Sequence, residues 1–226
     1  MESVREIYSE LSEILSGKTP EEMAQTIEQT RRLMTCYRCA MLNTELKFKV
    51  LSEEFNLRHD RNPIENIKTR IKSMPSIREK LTRRGYPITL ESIEQNMHDV
   101  AGVRVICSFL DDIYMLCDCL LKQDDVRLIE IKDYIKHPKP SGYRSLHMII
   151  EIPIFLYDEK KYVKVEVQLR TTGMEAWANL EHRLVYKQEY DPGIVDRALP
   201  TMLECAEISA KFDERMQALR NIIETD

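Results

Sequence analysis

The sequence predicts an α/β (α+β) protein: a mixed β-sheet flanked by helices, with a long helix at each end of the chain. Near both ends, apolar residues recur at steps of three and four, which is the spacing of amphipathic helices. Stretches in the middle instead alternate apolar and polar residues, as strands do. The 226 residues fit a single domain, with a core at about 60–190 and helical extensions at 1–58 and 192–226.

The N-terminal extension is predicted to contain two helices. A short one carries Val4 to Leu15 and stops at Gly17. The run Thr19-Pro20-Glu21-Glu22 then has the pattern of a capping box with proline at the first helical position. The long helix that follows has a heptad-like apolar seam from Met23 to Phe55. Such a seam is expected to bury against another helix, in the same chain or in a partner.

The core is predicted to alternate helices and strands. Pro63 is expected to open one helix, and Pro75 another that runs towards Arg84. The other predicted elements are a strand at Gly102–Phe109, a helix through Tyr114, Leu116 and Leu120, strands at Val126–Ile131, Leu146–Ile152 and Tyr162–Arg170, and a helix capped by Thr172.

The C-terminal extension is predicted to be a helix opened by Pro200. Its apolar residues Phe212, Met216, Leu219 and Ile223 keep the helical spacing found in the N-terminal seam. The two terminal helices are therefore expected either to pack on one another or to build an oligomer. The sequence leaves both arrangements open.

The composition is that of an ordinary water-soluble protein. The net charge of −5 disfavours a protein that coats nucleic acid. The N-terminus lacks the apolar stretch of a signal peptide, and no apolar run is long enough for a bilayer, so we expect a cytoplasmic protein without a membrane partner. Cys36-x-x-Cys39 and Cys117-x-Cys119 have no second ligand pair nearby, which favours buried or half-buried free thiols over zinc.

One predicted strand carries a row of polar residues. In Tyr162–Arg170, strand geometry directs Glu166, Gln168 and Arg170 to one face and valines to the other. A sheet with one face in water would show the same alternation. Arg104 lies in the predicted strand Gly102–Phe109, and Asp99 stands just before that strand. If both join this face, Asp99 and Glu166 are candidates to hold Mg²⁺.

Two basic clusters in an acidic protein indicate a local phosphate site, although solvated helix faces would also explain them. The first runs from Lys68 to Arg84 and the second from Lys132 to His147. The second contains the loop Lys139-Pro-Ser-Gly-Tyr-Arg-Ser-Leu-His147, in which Gly142 permits close backbone approach and Tyr143 offers a stacking face. A Ser-Gly pair by itself is merely a turn.

Taken together, these segments resemble the synthetase domain of RelA/SpoT-type enzymes, and specifically the single-domain small alarmone synthetases. The matching segments are Asn62-Pro-Ile-Glu-Asn-Ile-Lys-Thr-Arg-Ile-Lys72, Asp99-Val-Ala-Gly-Val-Arg104, Lys132 to His147, Glu166-Val-Gln-Leu-Arg-Thr171 and Trp177-Ala-Asn-Leu-Glu-His182. Several separated motifs in register are far more specific than any one of them. The resemblance covers about residues 60–190 and implies a nucleotidyltransferase-like fold, with the catalytic core in that range.

The resemblance implies an enzyme that moves the β,γ-pyrophosphate of ATP to the 3′-hydroxyl of GDP or GTP and releases AMP. On this pattern Asp99 binds Mg²⁺, and Glu166 is the general base with a share in the metal site. The implied ATP contacts are Arg70 and Arg104 on adenine, and Lys72, Ser76 and Lys80 on the phosphates. The implied acceptor contacts are Tyr143 stacked on guanine, Lys139 and His147 on the phosphates, and Ser141, Gln168 and Arg170 in support.

Alternative functions remain open on the sequence. Some relatives pyrophosphorylate adenine nucleotides or the tRNA 3′-end, and Tyr143 would stack on any base. A catalytically silent nucleotide or RNA sensor would be expected to lack Asp99 or Glu166, and both are present. The resemblance also implies a homotetramer, and RNA is a candidate regulator.

Overall fold

The computed structural model describes residues 17–58, 61–186 and 192–225. The predicted helix from Val4 to Leu15 lies outside these residues. The helices are α1 (Pro20–Arg58), α2 (Met74–Arg83), α3 (Leu90–Asn96), α4 (Leu110–Leu121), α5 (Thr172–Glu181), which runs into a π-helical turn at His182–Tyr186, and α6 (Pro192–Thr225). The strands are β1 (Ile64–Ile71), β2 (Ala101–Cys107), β3 (Arg127–Asp133), β4 (Leu146–Phe155) and β5 (Lys160–Thr171).

Local sequence signals position the starts of several helices. Before α1, Thr19 Oγ1 accepts from the backbone N–H of Glu22 at 3.3 Å, and the Glu22 carboxylate accepts from the N–H of Thr19 at 2.8 Å. This reciprocal pair is the predicted capping box. Helix α2 is capped by Ser73 and has Pro75 in its first turn, as expected. The cap of α5 is Thr171, whose hydroxyl accepts from Met174 N, rather than the predicted Thr172.

Two proline-based predictions are wrong. Pro63 precedes strand β1, not a helix, and β1 pairs antiparallel with β2. Ile64, Ile67 and Ile71 have helical spacing in the sequence. In the structure they lie on an edge strand whose alternation is interrupted by a register shift between Ile64 and Asn66. Pro200 lies inside α6, which begins at Pro192, so it interrupts the hydrogen bonding of a continuing helix instead of starting one.

The sheet is mixed, as predicted. The described residues form five strands in the order β1-β2-β5-β4-β3, with β2 and β5 parallel and the other neighbours antiparallel. Gln168 in β5 is opposite Arg104 on one side and His147 on the other. Residues directly opposite one another share a face of the sheet. Three polar side chains from three strands are thus brought together.

The long helix α1 packs on the sheet, where it contacts β1, β2, β4 and β5. Its side chain Phe48 and the β5 side chains Val165 and Val167 are fully buried in one core. The expectation that the α1 seam would bury against another helix is therefore wrong, because the flat apolar face of the sheet takes that place. Helix α6 packs against α4 and α5.

Helix α6 buries a different stripe from the one predicted. The small or polar side chains at Ala206, Ala210, Asp213 and Gln217 face the rest of the chain and are buried. The predicted stripe of Phe212, Met216, Leu219 and Ile223 is exposed. No helix in the described ranges combines the length and apolar character needed to cross a membrane.

The cysteines of the two predicted pairs are free thiols. Cys36 and Cys117 are buried, while Cys39 and Cys119 are partly exposed. Burial raises the pKa of the Cys117 thiol to about 11, so the neutral form predominates at neutral pH.

Candidate active site

A cavity of about 700 Å³ lies over the polar face of the sheet. Among the described residues, six cationic side chains and three carboxylates line it. Most of the predicted site residues line this one cavity: Arg70, Lys72, Asp99, Arg104, Lys139, Ser141, Tyr143, His147, Glu166 and Gln168. Positive charge in a partly enclosed space attracts anionic ligands such as nucleotide phosphates.

The alternation of β5 creates the floor of the cavity. Val165, Val167 and Leu169 point into the core and are fully buried. Glu166, Gln168 and Arg170 line the opposite face, as the sequence predicted. From the neighbouring strands, Arg104 and His147 join this row at the positions opposite Gln168.

Asp99 lies immediately before β2 and is held by two lysines. Its Oδ2 accepts from Lys72 Nζ at 2.7 Å and from Lys80 Nζ at 2.6 Å. Burial alone would raise the pKa of this carboxyl, but the two lysines outweigh burial and hold the pKa below its ordinary value. Its Oδ1 is buried and has no hydrogen-bond partner within the described part of the chain. Asp99 is therefore an ionised carboxylate with one free oxygen.

Glu166 is placed between two polar neighbours. Gln168 Nε2 donates to Glu166 Oε2 at 2.9 Å, and His147 Nδ1 lies 3.4 Å from Oε1. Burial alone would raise the pKa of Glu166, but contacts with His147 and Gln168 outweigh it and lower the pKa. Burial lowers the pKa of His147, which makes the imidazole neutral at pH 7. The carboxylate is thus ionised and oriented.

The loop between β3 and β4 forms one wall of the cavity. Gly142 N–H donates to the Lys139 carbonyl at 2.8 Å in a tight turn, and Gly142 has a φ of +86°. A β-carbon at this glycine would lie 2.5 Å from Ala206 Cβ of α6. The backbone at Gly142 therefore lies close to α6, with no room for a side chain between them.

Aromatic rings cluster beside this loop. Tyr143 OH lies 2.7 Å from His147 Nε2, and its ring makes an edge contact with the ring of Tyr134. The ammonium of Lys139 lies 4.7 Å from the centroids of both tyrosine rings. Tyr134 follows β3 directly and was not predicted as a site residue, although it lies within the matching segment from Lys132 to His147.

The sequence analysis also missed Glu175 as a site residue. Its buried carboxylate in the first turn of α5 contacts Lys68, Arg104 and Arg170. The first of these partners is 107 positions away in the sequence. A Glu at the start of a helix normally suggests a cap or a dipole contact, so sequence spacing held no signal for this cluster.

Two predicted residues lie outside the cavity lining. Lys80 reaches the site through its ion pair with Asp99. Ser76 lies on the outer side of α2, where its Oγ is 3.0 Å from Ser73 Oγ, in a separate depression shared with Arg78 and Arg83. Only part of the first basic cluster therefore lines the cavity: Lys68, Arg70 and Lys72 do, and the arginines of α2 do not.

Comparisons with known proteins agree with this geometry. A family model described as a region found in RelA/SpoT proteins matches residues 69–191. GTP pyrophosphokinase YwaC of Bacillus subtilis is 41% identical over 93% of this chain and 99% of its own length. GTP pyrophosphokinase YjbM of the same organism is 34% identical over 87% of this chain and 91% of its own.

A solved structure gives the same result in three dimensions. The crystal structure of small alarmone synthetase 1 from Bacillus subtilis, bound to its product pppGpp, superposes with a TM-score of 0.79 and 34% identity. The match covers 87% of this chain and 98% of that one. With a family match over more than half of its residues and relatives aligned along nearly its whole length, the chain belongs to the RelA/SpoT family, beside the small alarmone synthetases.

Proposed function

We propose that this protein is a (p)ppGpp synthetase, which transfers the β,γ-pyrophosphate of ATP to the 3′-hydroxyl of GDP or GTP and releases AMP. The observation that carries the proposal is the convergence of Asp99, Glu166 and Tyr143 on one cation-rich cavity. YwaC and YjbM are GTP pyrophosphokinases, and the similar structure of small alarmone synthetase 1 contains its product pppGpp. The catalytic core corresponds to about residues 60–190 of one domain.

On the donor side, Arg70 and Arg104 bind ATP through its adenine. Both line the cavity, Arg70 from β1 and Arg104 from β2, and planar guanidinium groups stack well on bases. Lys72 and Lys80 bind the phosphates, and both already lie within 2.7 Å of the same carboxylate oxygen. Ser76 remains a predicted phosphate contact. The ATP phosphates would have to reach it at the N-terminal end of α2.

Mg²⁺ is the implied cofactor, and the residues fit it. The buried Oδ1 of Asp99 is an acceptor without a partner among the residues described, and Glu166 supplies a second ionised carboxylate. Within those residues no cluster of three or more candidate ligands occurs. Two carboxylates suit Mg²⁺, which usually keeps several waters and takes phosphate oxygens as its other ligands. When bound there, it would offset negative charge on the transferred group.

On the acceptor side, Tyr143 stacks on guanine while Lys139 and His147 bind the phosphates, with Ser141 and Gln168 in support. Lys139 and Tyr143 are already in contact, with the ammonium 4.7 Å from the ring centroid. His147 is held between Tyr143 and Glu166, so it orients the catalytic carboxylate as well as the ligand.

In the transfer, the acceptor 3′-oxygen attacks the β-phosphorus of ATP, and the bond between the α–β bridging oxygen and the β-phosphorus breaks. Glu166 takes the hydroxyl proton, and the bridging oxygen leaves with AMP. Such reactions depend mainly on alignment and charge neutralisation rather than on covalent help from the protein. The cationic lining of the cavity and the fixed position of Glu166 supply these two requirements.

A product assay tests the proposal. Purified protein is mixed with Mg²⁺, γ-labelled ATP and, in turn, GDP, GTP, AMP or tRNA. Release of AMP matched by a 3′-pyrophosphorylated guanine nucleotide, and lost in Glu166→Gln, supports it. Label on tRNA or on an adenine nucleotide would overturn the acceptor assignment, and an absence of product with every acceptor would leave a nucleotide or RNA sensor.

The exposed stripe of α6 supports a homo-oligomer, and we propose a homotetramer. Phe212 and Ile223 are 56% and 67% exposed although they lie on one helical face with Met216 and Leu219. Contiguous apolar patches of this kind mark interaction sites. Light scattering that shows a monomer at micromolar concentration would contradict the assembly. A cytoplasmic location and regulation by RNA remain predictions of the sequence.

A further inference from the structure

A single buried carboxylate connects the two sides of the cavity. Glu175 is 6% exposed, and its carboxylate lies 2.9 Å from Lys68 Nζ, 3.3 Å from Arg104 and 2.9 Å from Arg170. Lys68 and Arg104 come from β1 and β2, on the proposed ATP side. Arg170 comes from β5 and donates to the hydroxyl of Tyr143, on the proposed acceptor side.

A second bridge runs parallel to the first. Gln168 Oε1 accepts from Arg104 Nε at 3.1 Å and from Arg170 at 3.0 Å. The two arginines are therefore joined twice, through Gln168 and through Glu175. Arg170 is 4% exposed, and its Nε has no hydrogen-bond partner among the described residues. The side chain is thus buried with part of its hydrogen-bonding capacity unused.

Charge at this cluster is unevenly balanced. Among the described residues, the Glu175 carboxylate forms ion pairs with three cationic side chains. The three cations therefore compete for the two oxygens of Glu175. A charged group in such a buried network interacts strongly with its neighbours because the local dielectric is low. A ligand that draws one cation away from Glu175 leaves the carboxylate free to hold the remaining ones more firmly.

We propose that Glu175 is a positioning residue that couples ATP binding to acceptor binding. The inference rests on the proposed function, because it assigns Arg104 to the ATP site and Tyr143 to the acceptor site. When ATP engages Arg104 and Lys68, Glu175 binds Arg170 more tightly, and Arg170 fixes the hydroxyl of Tyr143. The acceptor base then stacks on a ring that is already held. By linkage, the acceptor raises the affinity for ATP by the same factor.

Calorimetry measures this coupling directly. GDP is titrated into the protein in the presence of Mg²⁺, with and without saturating α,β-methylene-ATP, whose α–β methylene bridge cannot be cleaved in the transfer. We expect the analogue to tighten GDP binding about fivefold or more in the native protein, the lower end for coupled sites. In Glu175→Gln, which keeps the shape but removes the charge, the factor should fall below about twofold.

The matched control is Glu181→Gln. Glu181 lies on the same helix and lines the same cavity, and the structure records no ion pair between it and Arg104 or Arg170. This variant removes an equal charge without touching the bridge, so it should keep the native coupling. Loss of coupling in both variants would attribute the effect to net charge and overturn the proposal.

The remaining outcomes are decisive as well. Native coupling in Glu175→Gln, or a native factor of one, overturns the role of Glu175 while leaving the synthetase function intact. Failure of the native protein to bind either nucleotide overturns the proposed function itself. If Glu175→Gln does not fold, Glu175→Asp keeps the charge but shortens its reach by one methylene, and full native coupling in that variant would contradict the bridge.

Discussion

The Nδ1 atom of His147 lies 3.4 Å from Oε1 of Glu166, while its Nε2 lies 2.7 Å from the hydroxyl of Tyr143. The imidazole thus connects the proposed base to the proposed stacking residue. Because burial lowers the pKa of His147, it makes these contacts as a neutral ring with one donor nitrogen. Glu166 accordingly has its orientation fixed before substrate arrives.

Glu166→Gln is expected to lower kcat by a factor of about 10²–10⁴, the usual contribution of a positioned general base. The amide retains the size of the side chain, so the affinities for ATP and GDP should change little. AMP release and calorimetric titration measure the two quantities. Glu130→Gln, on the exposed edge strand β3, is the control and should leave both unchanged. A variant that loses binding as well as turnover would argue for a structural role.

The pH dependence should follow the ionisation of Glu166. Contacts with His147 and Gln168 hold its pKa below the ordinary value of a glutamate, and only the ionised carboxylate accepts the hydroxyl proton. Activity should therefore stay constant from neutral pH to about pH 5 and fall only as the pH drops further. The same low pKa values at Glu166 and Asp99 mean that stability contributed by their charged forms is present at neutral pH and lost in acid.

The measurement is kcat/KM against pH, with far-UV circular dichroism recorded in each buffer to separate loss of activity from unfolding. An acid limb near pH 6–7 in a folded protein would contradict the assignment. It would mean that a group with a much higher pKa controls the rate.

Tyr143 can be dissected with two variants. Tyr143→Ala should raise the KM for GDP about 5- to 150-fold, which corresponds to the 1–3 kcal/mol typical of a stacked base. Tyr143→Phe retains the ring and should keep KM near the native value, but it loses the hydroxyl contacts to His147 and Arg170 and should lower kcat. Tyr157→Ala is the control, since Tyr157 is 98% exposed. An unchanged KM in Tyr143→Ala would contradict stacking.

A buried ion pair anchors α6 to the rest of the chain. Asp112 is 1% exposed and accepts from Arg61 at 2.7 Å and from Arg220 of α6 at 3.2 Å. Asp112→Ala should destabilise the fold by about 3–5 kcal/mol, because it removes the buried carboxylate and leaves both arginines with the half-exposed Glu224 as their remaining acidic partner. Thermal unfolding measures the loss, and Asp118→Ala on the same helix is the control. Equal melting temperatures for the two variants would contradict an anchoring role.

Much of the site followed from local sequence pattern. The alternation of Val165, Glu166, Val167 and Gln168 identified the polar face of β5, and the capping box of Thr19 identified the start of α1. Both signals act between near neighbours in the chain. That Asp99 and Tyr143 share one site was expected because their motifs occur in register with those of the RelA/SpoT family.

The incorrect or missing predictions concern features that depend on contacts between residues far apart in the sequence. The α1 seam fits a coiled coil as well as it fits a sheet, and only the tertiary structure selects the sheet. Pro63 suggested a helix where β1 lies, and the register shift at Ile64/Asn66 interrupts the alternation that would have indicated a strand. Glu175 was missed because its cationic partners are on three different strands. No window along the sequence contains that information.

Gly142 provides a test of how the acceptor loop is held against α6. Gly142→Ala must adopt a φ of +86°, which costs a residue with a side chain about 1–2 kcal/mol. It also meets Ala206 Cβ at 2.5 Å, a contact that forces backbone to move. Overpacking of this kind adds about 1–3 kcal/mol. Because the turn carries Lys139 and Tyr143, the displacement should also raise the KM for GDP.

Gly85→Ala separates the two costs. Gly85 has a similar φ of +71°, and a β-carbon there meets nothing within 4 Å among the residues described. It should therefore show the backbone cost alone, with a smaller drop in melting temperature and an unchanged KM for GDP. Thermal unfolding and initial-rate kinetics on both variants measure the difference. If the two variants had the same melting temperature and the same KM for GDP, the loop would not be packed against Ala206. The close approach of loop and helix would then have no part in acceptor binding.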